Sequence, residues 1–160
     1  MNAEGIAILQ GKRALVSGGT RGMGAAAAVE LARLGARVIV AARTLPDGAG
    51  HRSVAADAAT PGGARAIAEA VTRELGGVDV IVHCVGASFA RPGGALALSD
   101  ADWEAALATN LLSAVRIDRE VLPLMVQQGF GSVVHVSSAQ WKRPNPSPPS
   151  PPASPRSASS

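Results

Sequence analysis

The chain has 160 residues, enough for one ordinary domain and too few for two comfortable ones. Hydrophobic residues make up 47% and charged residues only 17%, which excludes a chain disordered throughout. The net charge of +3 is a weak field carried by scattered arginines, so no nucleic-acid partner is implied. Cys84 is the single cysteine, which excludes a disulfide framework and a cysteine metal cluster. His51, His83 and His135 lie far apart in sequence without a paired spacing, and no metal site is read from them. No apolar stretch reaches ~18 residues without charge or glycine, so no membrane span is expected. Residues 1–10 lack a positive start and a long apolar run and do not read as a secretory signal, which makes a soluble cytoplasmic protein the expectation.

Taken in order, residues 14–16 form a short apolar run that ends in Ser17-Gly18-Gly19-Thr20-Arg21-Gly22-Met23-Gly24. Residues 25–34 are rich in helix formers, and Val29, Leu31 and Leu34 could line a buried face. Gly35 stands where a left-handed cap would close that helix. Residues 37–42 are a continuous apolar run of strand length, as expected for a strand covered on both faces. Strand, glycine turn, helix and strand make a βαβ unit.

The pattern then repeats. A weak strand is expected over 53–56. Thr60-Pro61 reads as a helix start, and the helix over 64–75 stops at Gly76-Gly77. A strand follows over 78–82. Ser99 with Asp102 resembles a capping box, opening a long helix marked by Trp103, Leu107, Leu111, Leu112, Val115 and Val121. Pro123 should kink or break that helix, and Gly129 should end it. A fifth strand is expected over 132–136. Alternating strands and helices predict an α/β fold, a doubly wound parallel sheet with helices on both faces. At 144–160 the composition turns to proline and serine, which predicts a disordered or polyproline-like tail after a domain spanning 1–143.

The turn at 17–24 carries the clearest chemistry. Gly18, Gly22 and Gly24 let backbone turn tightly and approach a pyrophosphate, while Thr20 and Met23 complete the turn into the helix. The N-terminus of that helix presents free N–H groups and a positive dipole end. An ordinary strand-to-helix turn is the plain alternative, but the position within a βαβ unit favours a dinucleotide.

Ser17-Gly18-x-x-x-Gly22-x-Gly24 resembles the T-G-x-x-x-G-x-G turn of the short-chain dehydrogenase/reductase family, with serine for threonine. The match continues through Asp57, Asp79, Asn110 and Ser137-Ser138, covering roughly residues 8–141. The resemblance implies a Rossmann-type fold and hydride transfer between a nicotinamide cofactor and a ketone or secondary alcohol, with a small-molecule carbonyl or alcohol as substrate. No acid ends the second strand to hold the free ribose hydroxyls of NAD(H). Arg21 and Arg43 stand where a 2′-phosphate would be met, so NADP(H) is preferred over NAD(H). The resemblance places Asp57, with the backbone at Ala58, beside the adenine. Val82-His83-Cys84-Val85-Gly86 occupies the place of the family's N-N-A-G segment. There Cys84, Val85 and Gly86 would put backbone beside the cofactor, while His83 and Cys84 replace both asparagines and leave the support of the neighbouring strand in doubt. His83 reads as a strand-end histidine rather than a catalyst, and Cys84 as a small buried hydrophobe. By the same resemblance Asn110 breaks its helix locally and holds a water in the proton relay. Ser138 hydrogen-bonds the substrate carbonyl.

Two members of that machinery have no counterpart. The family's tyrosine would fall at Ser150, Pro151 or Pro152, and its lysine at Ser154, Pro155 or Arg156, but the chain contains no tyrosine and its last lysine is Lys142. Carbonyl reduction needs an acid for the developing alkoxide, so this chain is expected to be catalytically incompetent. The expected sheet has about five strands and is incomplete by the family's pattern, consistent with truncation or a frameshift near residue 141. Two other readings stand beside this one: a non-catalytic nucleotide-binding module, and an interaction protein acting through Arg143-x-x-Pro146-x-x-Pro149 in its tail. Related enzymes pair through long helices, which leaves a homo-oligomer open for the full-length form.

Overall fold

The computed structural model describes residues 7–46, 52–89 and 91–137. The expected tail at 144–160, the motif within it and Ser138 lie outside the described residues. Among the described residues, five strands run in the order β1 (Arg13–Ser17), β2 (Arg37–Ala42), β3 (Arg52–Ala55), β4 (Val80–His83) and β5 (Ser132–His135). Four α-helices connect them: α1 (Gly22–Arg33), α2 (Pro61–Leu75), α3 (Asp100–Leu107) and α4 (Ser113–Gln128). A 3₁₀ turn spans Gly94–Ala97 and a π turn spans Ala108–Leu112.

All strand pairs are parallel, and the spatial order is β3-β2-β1-β4-β5. The order reverses direction at β1, so a crevice opens between the C-terminal ends of β1 and β4, as in Rossmann-type α/β folds. Two apolar layers flank the sheet. One packs Ala14, Val16, Val38, Val40 and Val82 against Ala28 of α1. The other packs Leu15, Ile39 and Ile81 against Ile67 and Val71 of α2 and Ile117, Val121 and Met125 of α4. Period-two alternation along each strand sends neighbouring side chains to opposite layers.

The helix boundaries follow their caps. Thr60 Oγ accepts from the Gly63 N–H at 3.0 Å, with Pro61 in the first turn of α2, and Gly76 (φ 72°) ends it. Ser99 and Asp102 form the capping box in both directions. Gly35 (φ 95°) follows α1, and Gly129 (φ 80°) closes α4.

Three expectations need correction. Val29 is exposed rather than buried, because α1 faces the sheet through Gly24 and Ala28, with Leu31 and Ala32 completing the same stripe. The weak strand begins at Arg52 and the fourth at Val80, each shifted from its apolar run by parallel pairing to β2 and β1. Pro123 does not break α4, because the proline lies on the solvent-facing side, where water can serve the carbonyl it leaves unpaired. The interruption falls at Asn110 instead, in the π turn.

Candidate functional site

A cleft of about 770 Å³ lies over the C-terminal ends of the strands. Five segments wall it: the turn after β1 (Gly18, Thr20, Arg21, Gly22), residues 41–46 from the end of β2 onward, residues 56–59 after β3, Cys84, Val85 and Gly86 after β4, and Thr109 of the π turn. Its size suits a cofactor-sized ligand.

The turn after β1 is held by backbone contacts that only glycine permits. Gly18 has φ 75° and donates its N–H to the Ala41 carbonyl at 2.7 Å. A Cβ on it would stand 2.9 Å from the Cys84 carbonyl carbon and oxygen. Gly24 lies against the Gly18 carbonyl, and a Cβ there would collide with it. This approach seats the first turn of α1 on the turn itself. Arg21 precedes α1 without capping it, and no acid stands in its first turn. The helix therefore offers its N-terminal N–H groups and dipole to an anion in the cleft. Met23 is exposed beside them.

Arg21 and Arg43 both border the cleft and are exposed. Among the described residues, neither is held in an ion pair. Asp57 Oδ1 accepts from the Ala59 N–H at 3.0 Å, closing a local turn, while its carbonyl accepts from Thr60. The local turn and a place in the cleft wall hold together: Asp57 is exposed and the neighbouring Ala58 is buried.

Asn110 sits in the π turn and clasps the loop after β4. Its Oδ1 accepts from the Ala87 N–H at 2.9 Å and its Nδ2 donates to the Ala87 carbonyl at 3.1 Å. The side-chain amide is thus engaged in positioning the cleft wall that contains Gly86. Ser137 is exposed just beyond β5.

His83 answers the doubt about support for β4. It is buried, its Nδ1 meets Ser17 Oγ at 3.1 Å, and its Nε2 meets Asp118 of α4 at 2.9 Å. The end of β4 is thereby tied to the end of β1 and to α4. Burial pulls the His83 imidazole below its ordinary range despite the opposing Asp118, which favours the neutral ring. Cys84 is only half-buried, and burial pushes its thiol up, which favours the protonated form. Sequence reasoning missed Asp118, a helix residue far from His83 in the chain and without a motif around it.

Residues 12–154 match the short chain dehydrogenase family. The chain belongs to that family. This short-chain dehydrogenase is 34% identical over 141 residues to D-threitol dehydrogenase of Mycolicibacterium smegmatis, covering 81% of this chain and 54% of the relative. It is 34% identical over 139 residues to 3-oxoacyl-(acyl-carrier-protein) reductase FabG of Vibrio cholerae, covering 81% of this chain and 56% of the relative. Among solved structures it resembles the aldohexose dehydrogenase of Thermoplasma acidophilum, with a TM-score of 0.76 and 25% identity over 85% of this chain and 52% of that one. The chain spans about half the length of the curated relatives it matches. Among the described residues, no helix of this short-chain dehydrogenase is long and apolar enough to cross a membrane.

Proposed function

We propose that this chain carries the dinucleotide-binding part of an oxidoreductase that passes a hydride between NADP(H) and a ketone or secondary alcohol. The observation that carries this reading is the cleft itself: a glycine turn against an uncapped helix N-terminus, with two arginines that make no ion pair among the described residues and no acid at the end of β2. When bound, the nicotinamide supplies or takes up the hydride. Gly18, Thr20, Gly22, Met23 and Gly24 hold the pyrophosphate with backbone and the α1 dipole. Arg21 and Arg43 take the 2′-phosphate, Asp57 and Ala58 flank the adenine, and Cys84, Val85 and Gly86 line the opposite wall. The relatives' names, one a dehydrogenase of a polyol and one a reductase of a 3-oxoacyl group, support a small carbonyl or alcohol substrate.

The test is a titration of the 160-residue chain with NADPH and NADH. Losing a charge-assisted pair to phosphate costs ~1.5–3 kcal/mol, or roughly ten- to hundredfold in affinity. Arg43→Asp is expected to weaken NADPH binding by that factor and leave NADH binding intact. Equal loss for both nucleotides would overturn the NADP(H) assignment.

A second reading, nucleotide binding without turnover, is favoured by one observation: the 160 residues contain no tyrosine to serve as the family's proton donor. In the π turn the Asn110 side chain already clasps Ala87 through both Oδ1 and Nδ2. Ser138, the proposed partner of the substrate carbonyl, would then lack the acid that completes the step. The 160-residue chain is expected to bind NADPH but to consume none with a panel of ketones, and measurable consumption would show that another group donates the proton.

A further inference from the structure

Strand pairing brings together two histidines that are remote in sequence. His83 of β4 and His135 of β5 are direct partners in the parallel register, so both side chains leave the sheet on the same face. That face is covered by α4, which contributes Asp118. One ligand atom from each of His83, Asp118 and His135 lies within 4.8 Å of the other two. His83 is buried, Asp118 half-buried and His135 exposed, so the cluster has a rigid floor and an open mouth.

We propose that His83, Asp118 and His135 form a binding site for a divalent transition-metal ion of the zinc type. Two imidazoles and one carboxylate are a donor set suited to such ions, and a water completes four-coordination. Metal–ligand bonds of about 2.0–2.2 Å place tetrahedral ligand atoms roughly 3.3 Å apart. The 2.9 Å contact between His83 and Asp118 is slightly tighter than that, and the reach to His135, within 4.8 Å, must shorten for it to ligate. The two rings now stack with centroids 4.8 Å apart and planes 18° from parallel. His135 must therefore turn out of the stack to aim a nitrogen at the ion, and its exposed position on the outermost described strand gives it room.

Ser17 supplies the outer support such a site needs. Without metal, a proton on His83 Nε2 serves Asp118, and Ser17 Oγ–H donates to Nδ1. With metal on Nε2, the proton moves to Nδ1 and donates to Ser17 Oγ, whose hydroxyl rotates to accept. The imidazole stays neutral in both states, so the exchange needs no net proton release from His83. The ion would clip β5 to β4 and α4 beside the cleft wall formed by Cys84, Val85 and Gly86.

The experiment is calorimetric titration of the untagged 160-residue chain with Zn²⁺, with Co²⁺ as a spectroscopic probe and Mg²⁺ as control. The expected result is saturable one-to-one uptake of Zn²⁺, a visible absorption band for tetrahedral Co²⁺, and no uptake of Mg²⁺. Removing an outer partner of a metal site costs about tenfold to hundredfold in affinity; His135→Ala and Asp118→Asn each remove a ligand and are expected to cost at least that. His135 is exposed and Asp118→Asn preserves shape, and metal-free melting curves show whether either variant has lost its fold. Absence of one-to-one uptake, or uptake unchanged in both folded variants, would overturn the site.

Discussion

Gly24→Ala is expected to weaken nicotinamide-nucleotide binding by about tenfold to hundredfold, the equivalent of the ~1–3 kcal/mol that overpacking a tight contact costs. The added methyl would run into the Gly18 carbonyl and press on the Cys84 Cβ at 3.1 Å. Neither neighbour can give way cheaply. Gly18 is held by its N–H to Ala41, and Cys84 is tied through its own N–H to the Ser17 carbonyl at 2.9 Å. The first turn of α1 must instead lift from the strand ends, carrying its N–H groups away from the anion they would bind. Gly62→Ala, in the first turn of α2, is the control. A Cβ there meets nothing within 4 Å, and no positive φ stands against it. Nucleotide titrations of the two variants should therefore separate sharply, and equal affinities would mean that the turn after β1 does not seat the ligand.

The largest effect on stability is expected at the opposite end of the sheet, from Asp79→Ala. Asp79 is 7% exposed at the start of β4. Its carboxylate accepts from the Arg13 backbone N–H at 2.8 Å, from Arg13 Nε at 3.1 Å and Nη2 at 2.6 Å, and from Gln128 Nε2 at 3.3 Å. Gln128 in turn donates to the carbonyls of Val78 and Phe130. This network joins β1, β4, the end of α4 and the approach to β5. Removing the carboxylate leaves the part-buried Arg13 guanidinium without its counter-charge, with only Gly76 and Gln128 as partners, and orphans the Arg13 backbone N–H, at a cost of about 2–4 kcal/mol. That is a large share of the ~5–15 kcal/mol by which domains are stable. A urea denaturation series would show the midpoint fall, with nucleotide affinity of the folded fraction unchanged because the cleft lies at the other end of the strands. A midpoint within experimental error of the parent would show that the network contributes nothing.

The same residue sets an acid dependence. Hydrogen bonding from Arg13 holds the Asp79 carboxyl below the ordinary carboxylate range. In the window between its folded value and its ordinary value the unfolded chain binds more protons, so stability rises with pH there. The contribution is fully present above that window and is lost as pH falls through the folded value. Stability measured as pH falls below the ordinary carboxylate value should fall less steeply in Asp79→Ala than in the parent chain.

Elements set by neighbours in the chain were legible without the structure. The Thr60-Pro61 start, the Ser99–Asp102 box and the glycine stops at 35, 76 and 129 are each closed by atoms a few residues apart, so residue type and spacing suffice to read them. The turn at 17–24 was legible for the same reason, since its glycines answer a local need for tight backbone. Val29 was misread because the face α1 turns to the sheet is chosen by the close seating of Gly24 and Ala28, not by the most apolar side chain available. Of the kink or break expected at Pro123, the break does not occur, because a helix tolerates proline where solvent can serve the unpaired carbonyl, and solvent exposure is a tertiary property.

The amino-acid sequence by itself determined that this chain alternates strands and helices, carries a glycine turn opening α1, and follows β2 with an arginine rather than an acid. Only the tertiary structure decided which distant residues meet. Arg13 and Asp79 are 66 positions apart and share four hydrogen bonds, while His83 and Asp118 are 35 apart and bracket one proton. His83 and His135 face each other because β4 and β5 pair in parallel in that register and no other. Parallel pairing is made through crossover segments long enough that no local spacing encodes it. Its register is set by how whole layers of apolar side chains pack between sheet and helices.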